Sequence, residues 1–140
     1  DSAKTLINKN TLNGHCLFQN ALTGNYYISV RHRNCLETWS KTGGEALTKG
    51  ETVSYDFTNS LSNTYGNNSV FVVNKYCIYS GDVNQDRFIN LQDILNIYND
   101  GSDFLTGYLD TDLNGDNNSD LFDLVIAYNN SSKFVSVINP

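Results

Sequence analysis

Two acidic segments in the second half of the chain have the residue spacing of oxygen ligands around a hard cation. Each begins with Asp-x-Asn-x-Asp and has a further Asp at its twelfth position, and together they cover residues 82–93 and 112–123. Calcium takes about six to eight oxygen ligands, and a twelve-residue loop supplies them from positions 1, 3, 5, 7, 9 and 12. The spacing therefore predicts two calcium loops.

Each loop is predicted to bind its cation through five side chains and one backbone carbonyl. In the first loop these are the Phe88 carbonyl and the side chains of Asp82, Asn84, Asp86, Asn90 and Asp93. In the second loop they are the Asn118 carbonyl and the side chains of Asp112, Asn114, Asp116, Asp120 and Asp123. Without a cation the crowded carboxylates would repel one another, so we expect two Ca²⁺ ions. Magnesium is disfavoured because it requires tight octahedral ligation and retains its waters.

The two loops belong to a duplicated unit with a period of 30 residues. The same shift that superposes the acids also places Tyr98 on Tyr128 and Phe104 on Phe134. An apolar stretch follows each closing Asp and predicts one short helix per repeat. Such short helices are unstable alone. We therefore expect calcium affinity to contribute folding free energy to this unit.

Two positions depart from the usual loop pattern. The sixth position normally needs Gly for a left-handed backbone, but Arg87 and Asn117 stand there. Asn tolerates that conformation better than Arg. We therefore expect the first loop to be weaker or slightly reshaped. At position eight an apolar residue normally pairs the two loops; the first loop has Ile89, whereas the second has Ser119.

Residues 1–80 show no long helical period and predict short strands separated by turns. The predicted strands are Cys16–Phe18, Tyr26–His32, Leu36–Ser40, Thr52–Phe57, Val70–Val73 and Tyr76–Tyr79. Strands at this spacing favour a small antiparallel β-sandwich. The predicted fold class is α+β, with a sandwich domain at 1–80 and a two-helix calcium-binding domain at 81–140.

Composition and charge exclude several classes of partner. The net charge is -6, which disfavours nucleic acid. The negative charge is concentrated in residues 82–140, which hold ten acidic and two basic residues. No apolar run approaches the roughly 18 residues that a membrane span requires.

The cysteines and the Asn-x-Ser triplets give further candidate modification sites. The three cysteines have no zinc-ligand spacing. They are either buried thiols or a Cys16–Cys35 disulfide between neighbouring strands with Cys77 free. Candidate glycosylation sites are Asn67, Asn129 and Asn130, whereas Asn117 occupies the strained loop position.

The residues offer little support for catalysis. His15 and His32 lie near predicted strands without a serine elbow, a metal spacing or a paired carboxylate. Glu37 near Trp39 would suit sugar binding, but a core Trp contacted by Arg33 is the favoured role. The acids of 82–123 are committed to the cation, so we expect a non-enzyme.

The repeat resembles the type I dockerin repeat over residues 81–130, and the segment Tyr79–Asp86 is typical of its opening. The resemblance implies an extracellular module that binds two calcium ions and docks onto a cohesin partner. The whole chain also resembles the C-terminal regions of secreted proteins from Bacteroidetes- and Ignavibacteria-type bacteria. In those proteins a strand similar to Tyr26–Trp39 directly precedes the dockerin-like repeat.

The pattern from Phe18 to Val30 is similar to carboxypeptidase-regulatory-like sandwiches, of Ig-like or prealbumin-like fold. Such relatives carry further strands upstream of the position of Asp1. We therefore expect either a fragment or a sheet completed by a strand from another molecule.

Two functions follow from these patterns. The first is a calcium-stabilised structural module of an extracellular or cell-surface assembly, such as a filament, whose copies contact one another by strand addition or face packing. The alternative is a dockerin that binds a cohesin-like partner. Because almost no linker separates Tyr79 from Asp82, the first is favoured.

Overall fold

The chain folds as an α+β protein with two helices and three antiparallel strand pairs. The computed structural model describes residues 1–140. The strands are β1 (Gly24–Tyr26), β2 (Ser29–Val30), β3 (Thr38–Trp39), β4 (Glu45–Leu47), β5 (Val70–Val72) and β6 (Lys75–Cys77). The helices are α1 (Leu91–Ser102) and α2 (Leu121–Ser131). The α+β class predicted from the sequence is confirmed.

The strands form three separate two-stranded pairs: β1 with β4, β2 with β3, and β5 with β6. No strand forms at Cys16–Phe18 or Thr52–Phe57, and the predicted strand Tyr26–His32 is interrupted between β1 and β2. Strand β4, which the sequence pattern did not indicate, pairs with β1 instead. Every strand therefore has one edge without a strand partner.

The expected sandwich is not formed by these residues alone. A sandwich needs two apolar sheet faces packed against each other, but Cys35 and Leu36 are the only buried hydrophobic residues among the first 80. Apolar side chains in residues 1–23 are exposed instead. Leu6 is 94% exposed and Leu17 is 74% exposed.

The two predicted helices are present, one in each repeat, and they pack around a small core. Asn90 and Asp120 cap their N-termini, each within a capping box completed by the Asp three residues later. The core consists of the buried residues Val83, Ile97 and Ala127 and the partly buried Ile94, Leu113 and Leu124. Neither helix has the length and apolar character required to cross a bilayer.

The repeats exchange backbone contacts in a symmetric way. Position seven of each loop forms a bridge with the segment that follows the other repeat's helix, as Phe88 with Ser136 and Asn118 with Thr106. The position-eight residues donate their N–H groups to the same segments, Ile89 to Val135 and Ser119 to Leu105. Ser119 therefore makes the same backbone contact as Ile89, although its side chain departs from the apolar residue usual at position eight.

The β half (residues 1–80) and the repeat (residues 81–140) are in contact across the predicted boundary at residue 80. The Leu36 N–H donates to the Tyr79 carbonyl at 2.8 Å, and the Gly81 N–H donates to the Asn34 carbonyl at 2.7 Å. The Asn68 side chain donates to the Ser136 carbonyl at 2.9 Å. Residues 34–36 therefore lie directly against the segment that leads into the first acidic loop.

Candidate metal centre

The closing aspartates of the two loops occupy equivalent, fully buried positions. Asp93 and Asp123 are both 0% exposed. The Asp93 carboxylate accepts N–H bonds from Val83 at 2.9 Å and Asn90 at 2.9 Å. Asp123 accepts the equivalent bonds from Leu113 at 2.7 Å and Asp120 at 2.9 Å. Each of these carboxylates thus ties the beginning of its loop to the N-terminus of its helix.

The first aspartate of each loop is also buried and faces the loop backbone. Asp82 and Asp112 are 2% and 3% exposed. Asp82 accepts an N–H bond from Asp86 at 3.0 Å and another from Arg87 at 3.2 Å. In the second loop the N–H of Asn117 donates to the Asp112 carboxylate at 3.1 Å. The chain therefore curls around the position-one carboxylate in both loops.

Positions three and five form the exposed side of each loop. The Asn84 side-chain oxygen accepts the Asp86 N–H at 2.9 Å, and its amide donates to the Asp86 carboxylate at 3.0 Å. Asn114 and Asp116 repeat both contacts at 2.8 and 3.1 Å. The arrangement is the same in the two loops, as the duplicated sequence predicts.

The position-nine side chains cap the two helices, which the loop spacing did not reveal. Asn90 accepts the Gln92 N–H at 2.7 Å, and Asp120 accepts the Phe122 N–H at 2.8 Å. A Ser, Thr, Asn or Asp directly before an apolar helical run is the sequence signal for such a cap. Position nine therefore joins each loop to its helix.

Left-handed backbone occurs at positions four and six of both loops. The φ angles at position six are +80° for Arg87 and +68° for Asn117. At position four they are +57° for Gln85 and +81° for Gly115. The first loop is not reshaped, because Arg87 adopts the same conformation and keeps the same hydrogen bond to position one. The alternative, weaker binding by the first loop, stays a prediction.

The first loop concentrates buried negative charge without a basic side chain paired to it. Burial raises the pKa of Asp82 to about 6, and the neighbouring carboxylates of Asp93 and Asp86 act in the same direction. Burial also raises the pKa of Asp93, against the opposing effect of three backbone N–H donors. None of the four ion pairs in the protein involves a carboxylate of this loop. In the second loop Arg33 lies 3.8 Å from the Asp112 carboxylate.

The donor set suits a hard cation. All of the predicted side-chain donors are carboxylate or amide oxygens, and a carboxylate that accepts one or two N–H bonds still has free lone pairs. No three carboxylate, imidazole or thiol groups converge closely enough to form a site by themselves. The predicted ligand sets also use the Asn side chains and one carbonyl per loop, at Phe88 and Asn118.

The residues of the β half that could do chemistry make other contacts than the sequence led us to expect. Arg33 does not lie beside Trp39; its side chain contacts residues 108–112 instead. Glu37 forms an ion pair with Arg31 at 3.0 Å and accepts the Ser29 hydroxyl at 2.6 Å. Burial works against ionisation of Glu37, but these two hydrogen bonds outweigh it and lower its pKa. The His32 ring lies 2.8 Å from the Asn34 side-chain oxygen.

The candidate modification sites differ in accessibility. All three cysteines are free thiols, with Cys35 buried and Cys16 and Cys77 exposed. Of the two alternatives that the sequence left open, the Cys16–Cys35 disulfide is not formed, and a buried thiol is found only at Cys35.

Two of the candidate glycosylation positions, Asn67 and Asn129, are exposed. The third, Asn130, is 9% exposed, and its amide donates to the Ser80 carbonyl at 2.7 Å. The structure contradicts glycosylation at Asn130, because that nitrogen is already engaged in a packed interface.

Comparison of the chain with protein-family models, with curated proteins and with solved structures found no match.

Proposed function

We propose that this protein is a non-catalytic structural module of an extracellular assembly and that two bound Ca²⁺ ions stabilise its repeat. The observation that supports the proposal is the pair of loops in which buried carboxylates are held by equivalent hydrogen bonds, 30 residues apart. Asp82 and Asp93 are 2% and 0% exposed in the first loop, and Asp112 and Asp123 are 3% and 0% exposed in the second.

Burial of these carboxylates requires a compensating positive charge. An ionised carboxylate removed from water without a partner is strongly destabilising. In the first loop backbone N–H groups supply only partial charges. A calcium ion would neutralise the loop and hold residues 82–93 against helix α1. Its binding free energy would then contribute to folding, as in other small metal-dependent modules.

The β half supports assembly between copies. Residues 1–23 contain no strand and expose Leu6, Ile7 and Leu17, which are 94%, 59% and 74% exposed. Each strand pair presents unpaired edges, and such edges accept an extended segment from another chain. In addition, the Trp39 indole N–H is buried without a hydrogen-bond acceptor. A strand donated by a second copy would extend a pair towards the sandwich that the sequence predicts.

A different surface supports the alternative function, docking onto a cohesin-like partner. Leu91 and Leu121, at equivalent positions of the two repeats, are 75% and 68% exposed. Tyr98 and Tyr128 are likewise 59% and 62% exposed. An apolar face that occurs twice would suit either a separate protein partner or packing between copies.

The calcium role is tested by thermal unfolding of the native protein and of Asp123→Ala, each with calcium and with EDTA. We expect calcium at a hundredfold excess over the Kd of each loop to stabilise the native protein by about 2.7 kcal/mol per loop, which raises the Tm by several degrees. Asp123→Ala should lose the part of this gain that comes from the second loop, because it removes a buried ligand of that loop and leaves the first loop intact.

The matched control is Asp103→Ala, which removes an exposed acid just outside the loops and should keep the full calcium gain. Only the difference between the calcium and EDTA curves is compared, because Asp123→Ala also disrupts a helix cap. An EDTA curve that coincides with the calcium curve for the native protein would rule out the stabilising role of calcium.

A further inference from the structure

The two loops differ in how the carbonyl oxygen of their first aspartate is hydrogen-bonded. In the first loop the Asp82 carbonyl accepts from the side chain of Gln85 at 2.5 Å. This donor belongs to the loop itself, three residues further on. The first loop therefore supplies this donor itself, and the same amide also donates to the Cys35 carbonyl at 3.4 Å.

The second loop has no such internal donor. Gly115 occupies the position equivalent to Gln85 and has no side chain. The Asp112 carbonyl accepts instead from Arg33 Nη2 at 3.0 Å and from Asn34 Nδ2 at 2.8 Å. Since Asp112 is 3% exposed, loss of these two donors would leave a buried carbonyl without a partner, which is unfavourable.

Further contacts fix the position of the Arg33 side chain. Its Nε donates to the Leu109 carbonyl at 2.8 Å, and its guanidinium lies 4.0 Å from the centre of the Tyr108 ring. The side chain is 16% exposed. The planar guanidinium group thus donates to the carbonyls of Leu109 and Asp112 at the same time. A lysine ammonium group could not reproduce this geometry.

Asn34 connects the beginnings of both loops. Its carbonyl accepts the N–H of Gly81, the residue before Asp82, at 2.7 Å. Its side chain donates to Asp112, and the residue is 2% exposed. Asn34 therefore holds the backbone just before the first position of the first loop and at the first position of the second loop.

We propose that Arg33 and Asn34 are positioning residues for the second calcium loop, so that the β half completes a site whose ligands all lie in the repeat. This inference rests on the proposed calcium binding. Removal of a residue that orients a metal ligand by hydrogen bonding typically lowers metal affinity about 10- to 100-fold. The first loop, which uses Gln85, is expected to be independent of Arg33.

The test is a calcium titration of the full chain followed by two-dimensional NMR. The backbone amide signals of Arg87 and Asn117 report on the two loops separately, because each N–H donates to the position-one carboxylate of its own loop. Asn34→Ala and Arg33→Lys should raise the Kd reported by Asn117 about tenfold and leave that reported by Arg87 unchanged. Neither substitution changes the net charge.

Gln85→Ala is the matched control and should show the opposite pattern, with weaker binding at Arg87 only. If Asn34→Ala does not fold, Arg33→Lys and Gln85→Ala decide the question by themselves. Equal Kd changes at both reporters, or no change at Asn117, would overturn the positioning role. A native protein in which neither reporter responds to calcium would instead disprove the proposed function.

Discussion

At the scale of single residues, the closing aspartates have a structural role before any cation binds. Asp93 accepts N–H bonds from the second residue of its loop and from the N-cap of α1. Asp123 does the same in the second repeat. The loop conformation is therefore partly built by hydrogen bonds, and the cation is expected to offset the remaining buried negative charge.

The three thiols should differ sharply in reactivity. Burial raises the pKa of Cys35 to about 11, whereas Cys16 and Cys77 are exposed. Since the thiolate is the reactive form, we expect iodoacetamide at about pH 8 to modify two cysteines of the native protein and all three after denaturation. Intact-mass spectrometry followed by peptide mapping measures this. Equal modification rates for Cys35 and Cys16, or a mass lower by two hydrogens, would contradict it.

At the scale of elements, the helices depend on their shared core more than on their own propensity. Helix α1 has 12 residues and α2 has 11, which is marginal for isolated helices. Ile97 of α1 and Ala127 of α2 are both 0% exposed and belong to the core between the two repeats. Packing of one repeat against the other is therefore what stabilises both.

Ile97→Ala should lower the free energy of unfolding by about 2–5 kcal/mol, because it removes buried methyl and methylene groups and leaves a cavity. Urea denaturation in the presence of calcium measures the loss. The matched control is Leu91→Ala in the same helix, where the side chain is 75% exposed and the expected change is within about 0.5 kcal/mol. Equal losses for the two variants would be inconsistent with the described core.

At the scale of the whole molecule, charge and exposed apolar surface are separated. Residues 82–140 carry most of the negative charge, whereas residues 1–81 have seven basic and five acidic residues. The exposed apolar side chains of residues 1–23 lie in the more basic part. Contact between copies through this segment would therefore bury apolar area with little charge repulsion.

The proposed strand addition makes self-association depend on this segment. We expect the native protein to form concentration-dependent oligomers in calcium, and Leu17→Asp to shift it towards monomer, because Leu17 is 74% exposed and would be buried by pairing. Sedimentation velocity measures the distribution. Leu121→Asp, on the exposed face of α2, is the control and should associate like the native protein.

A reversed result, with Leu121→Asp monomeric and Leu17→Asp associated, would assign the contact to face packing. A native protein that stays monomeric at every concentration would contradict self-assembly and favour the cohesin-like alternative.

Much of the repeat could be predicted from sequence because its interactions are local. The loop spacing, the two helices and the left-handed sixth position all involve residues within about a dozen positions of one another. Duplication at 30 residues then repeats each local solution. The β half was predicted less well, since a strand forms only where a partner strand is available. Neither Cys16–Phe18 nor Thr52–Phe57 has one within this chain.

By itself, therefore, the sequence determined the helix pair and the α+β class, whereas the ligand positions that it indicates stay a prediction. Only the tertiary structure showed that Arg33 and Asn34 reach the second loop, because these bonds join residues 76 to 79 positions apart. No periodicity or spacing encodes such a contact. Its physical cause is the buried Asp112 carbonyl, which must take its hydrogen bonds from another part of the chain because Gly115 stands where the first loop has Gln85.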